Sequence, residues 1–195
     1  VSESPQDIVN LFAAFFKSVF SQSTNISNTV ESPDHVCINP PVITEDQVLK
    51  TMKRFKQKLT AGPDGIPSFF VHDCAILLAG PLTIILNMAL KTLTFPAIWK
   101  VAKVCPILKS GDVHNVENYR PICIVSMFSK VFEIILYDHL YGYVCKMITP
   151  LQYGFMKHRS AVTNLTIITQ YISDHLDRQG QVDVVYTDFT KAFAG

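Results

Sequence analysis

Val101-Ala-Lys-Val-Cys-Pro-Ile-Leu108, closed by Lys109-Ser-Gly-Asp112 and followed by Ile122-Cys-Ile-Val125, is the stretch that decides the fold class. Its first eight residues alternate apolar and polar side chains closely enough for a strand, which has a period of two. Lys109 to Asp112 ends that strand in a turn, because Gly and Asp tolerate the backbone angles a reversal needs. Ile122 to Val125 is a second short strand, rich in β-branched residues. The long stretches on either side carry helical periodicity. The expectation is therefore a mixed α/β fold of the α+β type, rich in helices, with short strands.

Working outward, Ser4-Pro5-Gln6-Asp7 opens a helix, with Ser at the N-cap, Pro in the first turn and Asp closing a capping box. Ile8, Leu11, Phe12, Phe15 and Val19 then form one apolar stripe. Phe12, Phe15 and Phe16 read as core rather than as a base-stacking platform. From Ser21 to Pro41 the chain turns polar and rich in Ser, Asn, Thr and Pro, as a linker does. This gives an N-terminal helix and linker over 1–43 and a main domain over 44–195. Thr44-Glu45-Asp46-Gln47 is a second capping box, and Val48, Met52 and Phe55 lie on one face of the helix it starts. Gly62-Pro63-Asp64-Gly65 is turn chemistry: Pro presets φ, Asp bonds its own backbone and Gly accepts left-handed angles.

Helices are expected over Ser68–Leu78 and Pro81–Thr92, broken at Gly80-Pro81. Trp99 is placed beneath a sheet. A helix over Met127–Val144 carries Val131, Ile134, Ile135, Leu140 and Val144 on its stripe. Another over Ser160–Leu176 turns Leu165, Ile168 and Ile172 inward. Val182-Asp-Val-Val-Tyr-Thr-Asp188 reads as a nearly continuous apolar strand, the pattern of a strand buried on both faces. No internal repeat is visible.

Composition narrows the class of function. Apolar residues make up 48% and charged residues 17%, enough apolar surface for a core, which excludes wholesale disorder. The net charge is +1, so any nucleic-acid role rests on local placement of Lys and Arg. The five cysteines, Cys37, Cys74, Cys105, Cys123 and Cys145, are odd in number, widely spaced and without a CxxC, which argues against a zinc site or a disulfide framework. They read as reduced, mostly buried thiols of an intracellular protein. Cys74 to Leu90 carries no charge, but it is short of the ~20 residues a span needs and holds Gly80-Pro81 at its centre, so no membrane segment is expected. No basic leader precedes an apolar run, so no secretion signal is expected and the location is intracellular, nucleus or cytoplasm.

Two features could carry chemistry. Asp188 ends a buried strand, where a carboxylate is costly without a partner. Mg²⁺ is a suitable one, since it takes carboxylate oxygens and leaves positions for substrate phosphates. The alternative is an Asp that caps the turn after the strand. Lys109 and Arg120 flank the loop between the two strands; a compact ammonium and a planar guanidinium together could grip a triphosphate. The alternative is two solvated loop cations. The six histidines form no metal-binding pair, Gly62–Gly65 is not followed by a phosphate-loop lysine, and no nucleophile elbow surrounds a serine.

Read in order, these segments resemble a known series of motifs. Ala61-Gly-Pro-Asp-Gly-Ile-Pro67 is similar to the motif upstream of the fingers in reverse transcriptases of non-LTR retrotransposons. Pro96 to Asp112 is similar to their first fingers strand, and Asn118-Tyr-Arg-Pro-Ile-Cys-Ile124 with Lys130 and Glu133 continues it. Gln152-Tyr-Gly-Phe155 and Arg159-Ser160 match the next motif, and Tyr186-Thr-Asp-Phe-Thr-Lys-Ala-Phe193 looks like the first catalytic motif. The resemblance covers about Gln57 to Gly195 and is closest to jockey-type elements.

The resemblance implies a helix-rich fingers region with an incomplete polymerase palm, and RNA-directed DNA polymerase activity with Mg²⁺ as cofactor. The partners would be an RNA template, a DNA primer and deoxynucleoside triphosphates. Asp188 would be the first metal-binding aspartate, and the Phe189 carbonyl would add a metal ligand. Phe193 would be the gate that crowds a ribose 2′-hydroxyl, and Lys109 and Arg120 would hold the nucleotide's phosphates. Departures are visible: Ala194-Gly195 stands where the family has Asp, Cys123 where it often has Ser, and Ala161 where it often has Thr. The paired aspartates of the second catalytic motif lie beyond the sequence. A truncated copy, inactive alone, is therefore expected, and an unpaired final strand implies poor solubility. A non-catalytic nucleic-acid-binding module resting on Lys109, Arg120 and Arg159, or a non-functional relic, is the alternative.

Overall fold

The computed structural model describes residues 4–19 and 38–187. Asp188, Phe189 and Phe193 lie outside them. The described chain is a mixed α/β structure of six α-helices and one two-stranded antiparallel sheet. It divides into two compact units, one running to His139 and one from Leu140 onward.

The first unit has a core built from one side of each of several helices. Helix α2 (Glu45–Lys53) starts at Thr44, whose side chain accepts from Gln47 N while the Gln47 side chain accepts from Thr44 N. That reciprocal pair satisfies two backbone donors that the helix start would otherwise orphan. Val48 and Met52 from α2 are fully buried. They pack with Val71 of α3 (Ser68–Asp73), the stripe Ala75, Ala79, Leu82, Leu86 and Ala89 of α4 (Ala75–Thr92), and Met127, Val131, Phe132 and Ile135 of α5 (Met127–Val144). The α4 positions recur at intervals of four and three, the spacing of one helical face.

One polar device fixes the chain before α2. Asn87 in α4 accepts from Ile43 N at 2.9 Å and donates to Ile43 O at 2.8 Å. The amide thus stands in for a neighbouring strand and lets Ile43 be buried with its backbone groups paired.

The helix break falls elsewhere than Gly80-Pro81. Cys74, with φ −88° and ψ 11°, separates α3 from α4, and Pro81 sits inside α4. Its exposed ring lies away from the buried stripe. The ~3 kcal/mol that an interior proline costs is opposed by the burial of five side chains along the opposite face. Helix α4 is the one described helix long and apolar enough to cross a membrane, by length and composition. Its inner stripe belongs to the core, while Ile76, Leu77, Ile84 and Met88 are exposed.

Trp99 is not under the sheet. It lies in a short 3-10 turn (Ala97–Lys100), packed edge-on against Phe95 and tilted against Phe132 of α5. The strands β1 (Lys103–Leu108) and β2 (Tyr119–Ile124) pair in the register Lys103↔Ile124 to Leu108↔Tyr119. Helix α1 (Pro5–Val19) meets this hairpin through Phe12, whose ring stands edge-on to Tyr119 at 4.8 Å. Phe16 is the buried residue of α1, while Ile8 and Leu11 of the expected stripe are exposed. The Ser4 hydroxyl accepts from Gln6 N.

The second unit contains the end of α5, a loop and α6 (Ala161–Asp177), which begins with a capping box between Ser160 and Thr163. No residue of α6 is buried, so Leu165 and Ile168 are not inward as expected. Residues 181–187 form no strand, and Val185 and Tyr186 are over four-fifths exposed. An extended segment needs a neighbouring strand for its N–H and C=O groups, and the only described sheet is the β1–β2 pair. The cysteines are also more open than expected. Of the four described, Cys74, Cys105 and Cys145 are half-buried and Cys123 is exposed.

Candidate functional site

The hairpin positions the two expected phosphate-binding cations. Its register places Arg120 opposite Ile107, and Lys109 N continues the ladder by donating to Asn118 O at 2.8 Å. Residues 107 and 109 share a face, as do 118 and 120, because strand side chains alternate. Lys109 and Arg120 are therefore diagonal neighbours on one face, a relation that sets Cβ atoms ~7–8 Å apart. Lys103, paired with Ile124, lies on that same face. All three cations are exposed, and none forms an ion pair or a side-chain hydrogen bond among the described residues.

The loop between them is closely braced. Asp112 Oδ1 accepts from His114 N at 2.9 Å, and Asn118 Nδ2 donates to Asp112 O at 2.9 Å. The Tyr119 hydroxyl donates to Val113 O at 3.0 Å, and Asn115 accepts from Glu117 N. Gly111 has φ +88°, and a Cβ there would come within 2.7 Å of the Asn118 amide. A glycine is needed on both counts. The bracing holds Lys109 and Arg120 at a fixed separation, so an anion meeting both would not have to order the loop.

A second turn approaches the far end of the hairpin. Gly62 O accepts from Gly65 N at 3.2 Å, Asp64 Oδ1 accepts from Ile66 N at 3.1 Å, and Gly65 has φ +70°. Proline, aspartate and glycine each do what their chemistry foretold. Gly62 itself is buried, and a Cβ there would lie 2.7 Å from Val125 O, so this turn rests directly on the backbone leaving β2.

Arg159 has a different part from the one expected of a nucleic-acid contact. Its guanidinium donates to the carbonyls of Pro150 and Gln152 and lies over the Tyr153 ring. It is a staple for the loop before α6. Among the described residues no three His, Cys, Asp or Glu side chains come together as metal ligands would. Asp188 and Phe189, the expected ligands, and Phe193, the expected gate, lie outside the described residues. The described structure therefore places Lys109 and Arg120 on one face and leaves those three positions unassigned.

The likeness to known proteins runs the length of the chain. It is 22% identical over 204 residues, 99% of its length, to a probable RNA-directed DNA polymerase from transposon BS of Drosophila melanogaster. It is 22% identical, over 89% of its length, to the RNA-directed DNA polymerase from mobile element jockey of Drosophila funebris. Over half of its length it is 31% identical to a Pol polyprotein from the type-1 retrotransposable element R2 of Popillia japonica. No protein-family model matches the chain. The chain is homologous to the RNA-directed DNA polymerases of non-LTR retrotransposons. It spans 22% of the BS polymerase and 19% of the jockey polymerase.

Proposed function

We propose that these residues form the fingers and the beginning of the palm of an RNA-directed DNA polymerase that copies an RNA template from a DNA primer. The observation that carries this reading is the match to the BS polymerase over 99% of the chain, in one order. The hairpin supports it, since Lys109 and Arg120 share an exposed face on a braced loop and form no ion pair or side-chain hydrogen bond among the described residues. Two cations so placed suit the phosphates of an incoming deoxynucleoside triphosphate.

In this reading Asp188 and the Phe189 carbonyl would hold Mg²⁺, and Phe193 would crowd the 2′ position of the sugar. When bound, the metal would supply charge neutralisation for the attacking and leaving oxygens. The chain's own contribution would be positioning: Lys109 and Arg120 fix the phosphates, and the Asp112–Asn118 bonds fix Lys109 and Arg120. A single aspartate is too few for a two-metal site, so the 195-residue chain alone is expected not to extend a primer. The reading places the protein inside the cell, in nucleus or cytoplasm, and involves no membrane.

A chimera tests this directly. Residues 1–195 replace the matching segment of the BS polymerase, and primer extension on an RNA template is measured with Mg²⁺ and deoxynucleotides. The expected outcome is extension that Asp188→Asn abolishes. In the same chimera Lys109→Gln with Arg120→Gln is expected to raise the KM for deoxynucleotides ~10- to 100-fold, the scale of losing charge-assisted hydrogen bonds. A folded chimera without activity, or one indifferent to Asp188→Asn, would refute the reading.

A further inference from the structure

Helix α1 is covered along one stripe of its second half. Residues 4–11 are exposed, whereas Phe12, Phe15 and Val19 are half-buried and Phe16 is buried, at the three-and-four spacing of one helical face. We propose that α1 is a back brace for the hairpin, with Phe12 as a positioning residue that acts through Tyr119 to hold Lys109 and Arg120 in place. The proposal rests on the polymerase reading only for the nucleotide that the two cations grip, and goes beyond it by giving the N-terminal helix a part in nucleotide affinity.

Three observations carry it. The first is the contact itself. The Phe12 ring stands edge-on to Tyr119, with centroids 4.8 Å apart and planes at 71°, an arrangement in which a positive ring edge meets a negative ring face. Phe16 stacks on Phe12 at 5.8 Å and Phe15 lies against Phe16 at 5.7 Å, so Phe12 is itself held. The same helix meets the 3-10 turn Val116–Asn118 that leads into β2. Helix and hairpin belong to one compact unit.

The second is position. Tyr119 pairs with Leu108 at the loop end of the ladder. Its chain neighbours are Asn118, whose carbonyl accepts from Lys109 N, and Arg120. Its hydroxyl reaches across the loop to Val113 O at 3.0 Å. Holding the Tyr119 ring therefore holds the backbone on both sides of the grip. Strand alternation turns Tyr119 to the face opposite Arg120. Phe12 thus meets the hairpin from behind, and both cations stay exposed.

The third is need. A two-stranded hairpin is marginal in water by itself and gains stability by packing on a helix. This one buries little of its own surface: Val104, Ile107, Leu108 and Ile122 are each at least 38% exposed. At its far end the Gly62 turn rests on the Val125 carbonyl; at the loop end Phe12 rests on Tyr119. A loop end free to flex would let Lys109 and Arg120 part, and binding would then have to order them again, which weakens affinity.

The test joins hydrogen exchange of the 195-residue chain to the kinetics of the chimera with the BS polymerase. Phe12→Ala should speed exchange at the Lys109 amide, which donates to Asn118 O, while buried Val131 keeps its protection. In the chimera it should raise the KM for deoxynucleotides ~3- to 10-fold, the scale of losing one aromatic pair, with kcat unchanged. Phe12→Tyr, which keeps the ring, should leave both readouts at their parent values. Leu11→Ala, on the exposed side of α1, should alter neither. In the K109Q/R120Q background Phe12→Ala should raise the KM no further, because the brace acts through those two cations. An unchanged Lys109 amide, a KM rise that persists in that background, a loss of kcat in place of the KM rise, or an equal effect of Leu11→Ala would each overturn the proposal. If K109Q/R120Q leaves the KM unaltered while Phe12→Ala still frees the Lys109 amide, the nucleotide grip fails and the back brace stands.

Discussion

The two halves of α5 and the helix that follows it contrast the chain's two units. The N-terminal half of α5 buries Met127, Ser129, Val131, Phe132 and Ile135, whereas α6 buries no residue at all. Both stretches carry apolar side chains at helical spacing, and their sequences do not announce the difference. Periodicity fixes which face of a helix is apolar. Whether that face is covered depends on what else the chain brings to it. In the first unit α2, α3, α4 and the N-terminal half of α5 share one buried cluster; in the second, Leu165, Tyr171 and Leu176 of α6 remain exposed.

The contrast can be broken by mutation, and the largest effect belongs to the first unit. Leu86→Ala removes a fully buried side chain at the centre of the α2–α4–α5 core and should cost ~2–5 kcal/mol, read as a lowered denaturant midpoint. Gly62→Ala, which forces a Cβ to 2.7 Å from the Val125 carbonyl, should cost ~1–3 kcal/mol. Its melting transition should fall while helix content before melting stays unchanged. Asn87→Ala strands the Ile43 N–H and C=O and should cost ~1–3 kcal/mol; hydrogen exchange should quicken first at Ile43.

The smallest effect is expected in the second unit. Leu165→Ala, at a position 65% exposed, should change stability by no more than ~0.5 kcal/mol. A loss as large as that of Leu86→Ala would mean that α6 is covered in solution, and the contrast between the units would fall. The exposed apolar side chains of α4 and α6 also make the isolated chain prone to association. Concentration-dependent light scattering should show it, and a monodisperse monomer at high concentration would count against it.

Where local chemistry was strong, the sequence was a good guide. The Thr44–Gln47 capping box, the Gly62–Gly65 turn and the span of α5 all stand as their residues implied, because each depends on bonds made within a few positions. The break at Gly80-Pro81 failed for a tertiary reason. A proline disrupts a helix locally, but α4 gains a five-residue buried stripe by continuing through it. Trp99 was misplaced because nothing in its neighbourhood says that Phe95 and Phe132 will meet it. The apolar run 182–187 failed as a strand because apolarity supplies no hydrogen-bond partners. Of the candidate site, the position of Lys109 and Arg120 beside a turn was legible. The fixing of Lys56 and Lys58 was not, since the bonds that hold their backbone come from Ser68, ten or more positions away.

The sequence by itself determined the starts of α1, α2, α5 and α6, the turns, the hairpin and the kinship with retrotransposon polymerases, since these follow from short-range bonding and from the order of motifs. Only the tertiary structure decided that Lys109, Arg120 and Lys103 share one face, that Arg159 is spent on carbonyls, and that Lys56 and Lys58 of one loop meet Lys130 of α5 at one cleft. Burial and charge clustering are properties of surfaces brought together from distant positions, and a linear pattern does not contain their meeting.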